Sequence, residues 1–133
     1  MEREPERHLL VADGRVHPAG MLVLRDRDRL IRFVRKLAMR IEITELDLMA
    51  RVIGPDVEGG PGLSVVNMIT TSHIAVHTFP RHGCFQLDIS SSREFDPLEA
   101  VDFTRTELDV HNWKTLMSWP KLLMFTELPA IEE

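Results

Sequence analysis

Apolar residues fall into short blocks along this chain, and the spacing within each block predicts an element. His8-Leu9-Leu10-Val11-Ala12 is an apolar run closed by Asp13-Gly14, which predicts a first strand ending in a turn. Residues 16–20 contain Pro18 and read as loop. From about residue 28 to 40, Leu30, Ile31, Phe33, Val34, Leu37 and Ala38 recur three and four positions apart, with Asp26 or Asp28 available as a cap. That spacing is a helix with one buried face. Ile41 and Ile43, then Leu46 and Leu48, alternate and predict a strand over 41–53, ended by Gly54-Pro55.

After the flexible loop Gly59-Gly60-Pro61-Gly62, three apolar segments follow at 63–69, 73–79 and 84–89. Their connections are short enough for antiparallel pairing, and Pro80-Arg81-His82-Gly83 suits a hairpin turn. Asp96-Pro97-Leu98-Glu99 starts a second helix with a cap, a proline in the first turn and an acid near the positive end of the dipole. Its apolar positions Leu98, Val101, Phe103 and Leu108 carry it to about Val110. From Trp113 to Leu128, two apolar runs split by Pro120 predict an edge strand and an extended segment. Met39, Met49, Met68, Met117 and Met124 are expected in the core, and Trp113 and Trp119 in packing or a dimer contact.

Two helices with five or six strands describe an α+β fold: a two-layer sandwich, mainly antiparallel, with both helices on one face of the sheet. The other face must then meet water or a second subunit. A length of 133 residues suits a single domain, 1–133.

Composition narrows the function. With 16 basic and 21 acidic residues the chain carries a net charge of -5, which disfavours nucleic acid as a partner. The basic cluster Arg25, Arg27, Arg29, Arg32, Arg35, Lys36 and Arg40 lies mostly on the outer side of the first helix and reads as a solvated face. A single cysteine, Cys84, excludes an internal disulfide, and the charged opening Met1-Glu2-Arg3-Glu4 carries neither a secretory signal nor a membrane span. A cytoplasmic protein is expected.

Chemistry concentrates in Ser72-His73-Ile74-Ala75-Val76-His77, which puts a hydroxyl and two imidazoles on one short strand. Ser72 and His77 lie an odd number of residues apart, so they face opposite ways unless the strand is bent at Ser72. His73 and His77 share a face but have no clear third ligand, so no metal is expected.

The run from Gly62-Leu63-Ser64 through Thr71-Ser72-His73-Ile74-Ala75-Val76-His77-Thr78-Phe79-Pro80, the hairpin to Asp88 and the Asp96-Pro97 helix resemble the bacterial and archaeal S-adenosylmethionine decarboxylases. The resemblance covers residues 8 to about 110, with the serine-histidine segment its specific part. It implies a cofactor made from the chain itself. In that family a serine attacks the carbonyl before it, the ester eliminates, and hydrolysis leaves a pyruvoyl group that condenses with the substrate amine and withdraws electrons as carbon dioxide leaves. Ser72 matches that serine, so cleavage would fall between Thr71 and Ser72. Ser64 and His77 match the residues that assist it.

The pattern also departs from the family. Thr71 stands where the family has glutamate, and Ser92 where it has the cysteine that returns a proton to the product, a task for which a hydroxyl is far less acidic than a thiol. Glu58 lies where an adenine-stacking aromatic belongs, and Arg81, next to the Phe79-Pro80 of the motif, replaces an acid and would repel a sulfonium cation. The resemblance thus implies a small-molecule substrate met by Glu58, Phe79 and Arg81, a homodimer, and a place in polyamine biosynthesis. Alternatives are a pyruvoyl-dependent decarboxylase of another amino acid, such as arginine or ornithine, and an uncleaved relative that binds a small molecule without catalysis.

Overall fold

A computed structural model describes residues 4–58 and 60–122 of the chain. Six strands, β1 (His8–Val16), β2 (Glu45–Ile53), β3 (Gly62–Ile69), β4 (Ser72–Phe79), β5 (Cys84–Ser91) and β6 (Val110–Trp119), form one sheet in the order β2-β3-β4-β5-β1-β6. Every neighbouring pair is antiparallel. Three helices, α1 (Met21–Arg25), α2 (Arg27–Arg40) and α3 (Pro97–Glu107), accompany it. The architecture is α+β with a mainly antiparallel sheet, as the spacing of apolar residues predicts. Among the described residues no helix is long and apolar enough to cross a membrane.

The core lies between one face of the sheet and the helices. Helix α2 buries Leu30, Ile31, Phe33, Val34, Leu37 and Ala38 there, each large side chain contributing about 1.5–3 kcal/mol. Its start is held by the Asp26 carboxylate, which accepts from the N–H groups of Asp28 at 3.0 Å and Arg29 at 3.1 Å. Helix α3 lies beside it: Phe103 stacks on Phe33 with ring centres 6.1 Å apart, and Arg40 reaches Glu99 at 3.1 Å. The arginines and lysine of α1 and α2 are exposed, as a solvated face should be.

Four expectations are corrected. Strand β1 runs on to Val16 instead of turning at Asp13-Gly14. The glycine is there because a Cβ would lie 3.0 Å from the Phe85 ring and 3.2 Å from Trp113, so it admits aromatic rings and makes no turn. The loop expected at 16–20 holds a single 3-10 turn over Pro18–Gly20, and the residues after it, to which the spacing assigns no element, form α1, too short at five residues to show a helical period. Strand β2 begins at Glu45 rather than Ile41. Ile41 and Ile43 are buried because α2 ends on Glu42 at φ 60°, and the Ile43 N–H returns to the Ala38 carbonyl at 2.9 Å; a helix stop can imitate strand alternation. Likewise α3 stops at Glu107, with Asp109 at φ 52° reversing the chain into β6, which starts at Val110 and forms the sheet edge beside β1. The extended segment expected after Pro120 lies, beyond Leu122, outside the described residues.

Four of the five methionines expected in the core supply a further correction, and the fifth, Met124, lies outside the described residues. Met39 is exposed, and so are Met49, Met68 and Met117, which with Val66 and Trp119 stand on the sheet face turned away from the helices. Alternation in β3 makes this plain: Val65, Asn67 and Ile69 are buried beneath the helices, while Val66 and Met68 point the other way. Trp119 is 59% exposed and Met68 55%. Side chains of that size on one open face constitute an unpartnered apolar surface. Trp113, by contrast, packs edge-on against Phe85 in the core.

Candidate active site

The two-residue turn Thr70-Thr71 delivers the chain from β3 into β4, and Ser72 opens that strand opposite Ile69 and Ser91. Strand β5 ends just across from the turn, which brings Ser91 and Ser92 against the Thr71-Ser72 peptide. The Thr71 carbonyl oxygen accepts two hydrogen bonds, from the Ser92 N–H at 3.0 Å and from Ser92 Oγ at 3.2 Å. Ser91 Oγ gives its proton to the Arg93 carbonyl at 2.8 Å, so Thr71 Oγ1, 2.7 Å away, is the donor in their bond. The β-branched Thr71 is thereby held through both its side chain and its carbonyl. Two donors on one carbonyl polarise it, and they stand where negative charge would develop if a nucleophile added to its carbon.

The adjacent hydroxyl is Ser72 Oγ, and the imidazole beside it is His73, with Nδ1 3.5 Å away. His73 Nε2 lies 2.9 Å from Asp88 Oδ2 on β5. A cleft of about 270 Å³ opens over Thr71 and Ser72, bounded by residues 5–7 and the Ser90-Ser91-Ser92 run; His73 and Asp88 do not line it.

Ser64 and His77 are brought together elsewhere. They face one another across β3 and β4, with Ser64 Oγ 2.8 Å from His77 Nδ1, on the open face of the sheet. The strand shows no bend at Ser72, whose pairing to both neighbours is regular. Five residues at about 3.3 Å each put His77 about 16 Å along the strand from Ser72. Within one chain, therefore, His77 and Ser64 do not reach the Thr71-Ser72 peptide.

Phe79 ends β4 opposite Cys84, and Arg81 is exposed in the tight turn that follows, where Gly83 at φ 60° completes the hairpin. Both lie at the His77 end. Arg81 joins Arg25 and Arg27 at the rim of a recess of about 370 Å³ floored by Leu24, Leu63 and Pro80. Glu58 is exposed in the loop before β3.

Sequence reasoning passed over Asp88, Ser91 and Asp13, whose neighbours are set only by strand register. Asp13 stands on the open face of β1. Partial burial raises its carboxyl above the ordinary 3.8, the nearby Asp88 adding to the rise, while Lys114, the Leu87 N–H and Thr115 oppose it.

Residues 11–118 match the family model described as S-adenosylmethionine decarboxylase. The chain is 30% identical over 96 residues to an S-adenosylmethionine decarboxylase proenzyme of Pyrobaculum aerophilum, covering 71% of this chain and 74% of the relative. It is 30% identical over 101 residues to the proenzyme of Sulfolobus acidocaldarius, covering 75% and 78%. The fold superposes on the crystal structure of the adenosylmethionine decarboxylase of Aquifex aeolicus with a TM-score of 0.70 at 18% identity, covering 94% of this chain and 98% of that one. With the match spanning most of its length and the motif serine placed beside a doubly bonded carbonyl, the chain belongs to the S-adenosylmethionine decarboxylase family.

Proposed function

We propose that this chain cleaves itself between Thr71 and Ser72 to become a pyruvoyl-dependent decarboxylase of S-adenosylmethionine, acting in the cytoplasm as a homodimer. The observation that carries this reading is the Thr71 carbonyl, which accepts from both Ser92 donors directly beside the Ser72 hydroxyl. Ser72 Oγ adds to the Thr71 carbonyl carbon, its proton leaves to a base, and the charge that collects on the carbonyl oxygen is met by the Ser92 N–H and Oγ. Opening of the carbon–nitrogen bond, with a proton delivered to nitrogen, gives an ester between Thr71 and Ser72 Oγ. A base then removes the Ser72 Cα proton, the Cβ–Oγ bond breaks, and Thr71 departs as a carboxylate. Tautomerisation, addition of water and loss of ammonia leave a ketone at the new N-terminus of residues 72–133. Once formed, the pyruvoyl group supplies the electron sink for loss of carbon dioxide.

Ser92 has a role in this scheme that its hydroxyl can fill. It donates to the scissile carbonyl, whereas its high pKa makes it a poor substitute for a thiol in returning a proton.

The separation of the two halves of the site supports the homodimer reading. The Ser64–His77 pair lies on the open face among Met49, Val66 and Met68, a surface suited to stacking on the same face of a second copy. In that arrangement the Ser64 and His77 of one copy serve the Thr71-Ser72 peptide of the other, with His77 removing the Cα proton.

Intact-mass measurement tests the reading: the purified chain should appear as two fragments divided between Thr71 and Ser72, and a single full-length species refutes it. Trans-complementation tests the dimer. Ser72→Ala and His77→Ala chains, each uncleaved alone, should yield cleaved His77→Ala chains when mixed, because the first supplies an intact His77; no cleavage in the mixture removes the shared site.

A second reading concerns the substrate alone. Arg25, Arg27 and Arg81 crowd one recess with positive charge, which suits a sulfonium poorly, and the cationic side chains of arginine and ornithine no better, so it favours an amino acid whose side chain carries no positive charge. Carbon dioxide release from S-adenosylmethionine, compared with that from amino acids with neutral or acidic side chains and from arginine and ornithine, separates the two.

A further inference from the structure

Building on the self-cleavage reading above, we infer that His73, oriented by Asp88, is the base that takes the Ser72 hydroxyl proton in the first step of maturation. The argument rests on which ring nitrogen carries hydrogen. An ionised carboxylate only accepts, so the 2.9 Å contact between His73 Nε2 and Asp88 Oδ2 requires the proton on Nε2. Nδ1 is then left with its lone pair, and it is Nδ1 that lies 3.5 Å from Ser72 Oγ. That distance closes to a full hydrogen bond with a small side-chain rotation, and contacts of this kind tighten as the reacting geometry is reached. His77 is about 16 Å further along the strand and unable to act on this hydroxyl within the same chain.

The register explains why Asp88 is in place. Ala75 pairs with Asp88 and His73 with Ser90, so His73 and Asp88 are diagonal neighbours on the open face. The groups around the imidazole are few. Strand β3 presents Met68 opposite it, strand β5 presents Ser90 and Asp88, and Asp13 on β1 and Lys114 on β6 lie beyond Asp88. Glu6 and Arg7 border the cleft on the side of Ser72.

In the step itself, the Ser72 Oγ–H bond breaks as Oγ bonds to the Thr71 carbonyl carbon, and the proton passes to His73 Nδ1. The imidazolium, stabilised by Asp88, returns that proton to the Ser72 nitrogen as the carbon–nitrogen bond opens. Nothing is oxidised or reduced, and His73 ends as it began. His73 is thus a catalytic residue of the acyl shift and Asp88 a positioning residue, and the later Cα proton belongs to His77. Two histidines of one motif take two successive protons.

The test follows the rate of fragment appearance by intact mass after synthesis of the full chain. A positioned base contributes about 10²–10⁴-fold, so His73→Gln, whose amide still donates to Asp88 but cannot act as a base, should slow cleavage at least 100-fold. His73→Ala should regain cleavage in added imidazole. Asp88→Asn should slow cleavage and change the pH profile of the cleavage rate relative to the unaltered chain, which a purely structural role for the carboxylate would not do. Hydroxylamine, which cuts esters, should split an arrested His77→Ala chain at Thr71 and leave an arrested His73→Gln chain whole, placing the block before the ester. Circular dichroism confirms that each variant is folded, and an unfolded His73→Ala leaves the glutamine variant to decide. Wild-type cleavage rate in folded His73→Gln, or hydroxylamine splitting of it, overturns the role of His73 while self-cleavage stands; an uncleaved wild-type chain overturns both.

Discussion

Removing the Ser92 hydroxyl should slow maturation without stopping it. Ser92→Ala deletes the 3.2 Å bond to the Thr71 carbonyl and leaves the 3.0 Å bond from the Ser92 N–H in place. Loss of one well-placed oxyanion donor costs about 10²–10³ in rate. This donor is at the long end for a hydroxyl, and Ser92 is exposed, so water competes for the same oxygen. The expected loss is therefore about tenfold, which corresponds to about 1.4 kcal/mol of barrier. Ser92→Cys keeps the N–H and offers a weaker thiol donor, and should fall between the two. The assay is a time course of full-length chain and fragments by mass spectrometry, begun at synthesis, with hydrogen–deuterium exchange or circular dichroism to verify folding. Wild-type kinetics in Ser92→Ala would show that the hydroxyl does not stabilise the oxyanion and return Ser92 to an ordinary strand end.

Three further outcomes are expected. Met68→Lys places a charge beside Val66 and Met49 on the open face and should shift sedimentation toward monomer while leaving the melting temperature of the monomer nearly unchanged; undiminished association would move the interface elsewhere. Asp13→Asn tests burial on β1. A carboxyl raised by burial binds its proton more tightly folded than unfolded, so the wild-type chain loses stability as the pH rises from the ordinary 3.8 through the raised value. The asparagine variant should melt higher than wild type at neutral pH and converge with it below 3.8, and a variant that melts lower at pH 7 contradicts the assigned cause. Phe85, 1% exposed and packed edge-on against Trp113, should cost about 3–5 kcal/mol on replacement by alanine, measurable by urea denaturation.

Local spacing determined much of this protein on its own. Helix α2 was legible because six apolar residues at three- and four-residue spacing can only meet one surface, and its Asp26 cap because a short carboxylate before such a run reaches the free N–H groups. The hairpin at residues 80–83 was legible because proline and glycine restrict the backbone locally. Ser72, Ser64 and His77 stood out through the motif. Local spacing failed where a neighbour far along the chain sets the conformation: Gly14 answers to Phe85 and Trp113, and the burial of Ile41 and Ile43 to the way α2 stops. Tertiary structure alone decided that Ser92 meets the Thr71 carbonyl, that Asp88 holds His73, and that Ser64 and His77 stand apart from Ser72. Each is a relation between strands. A strand's sequence states which residues share a face, but pairing register states which of them touch, and register is settled only when the whole sheet closes on its core.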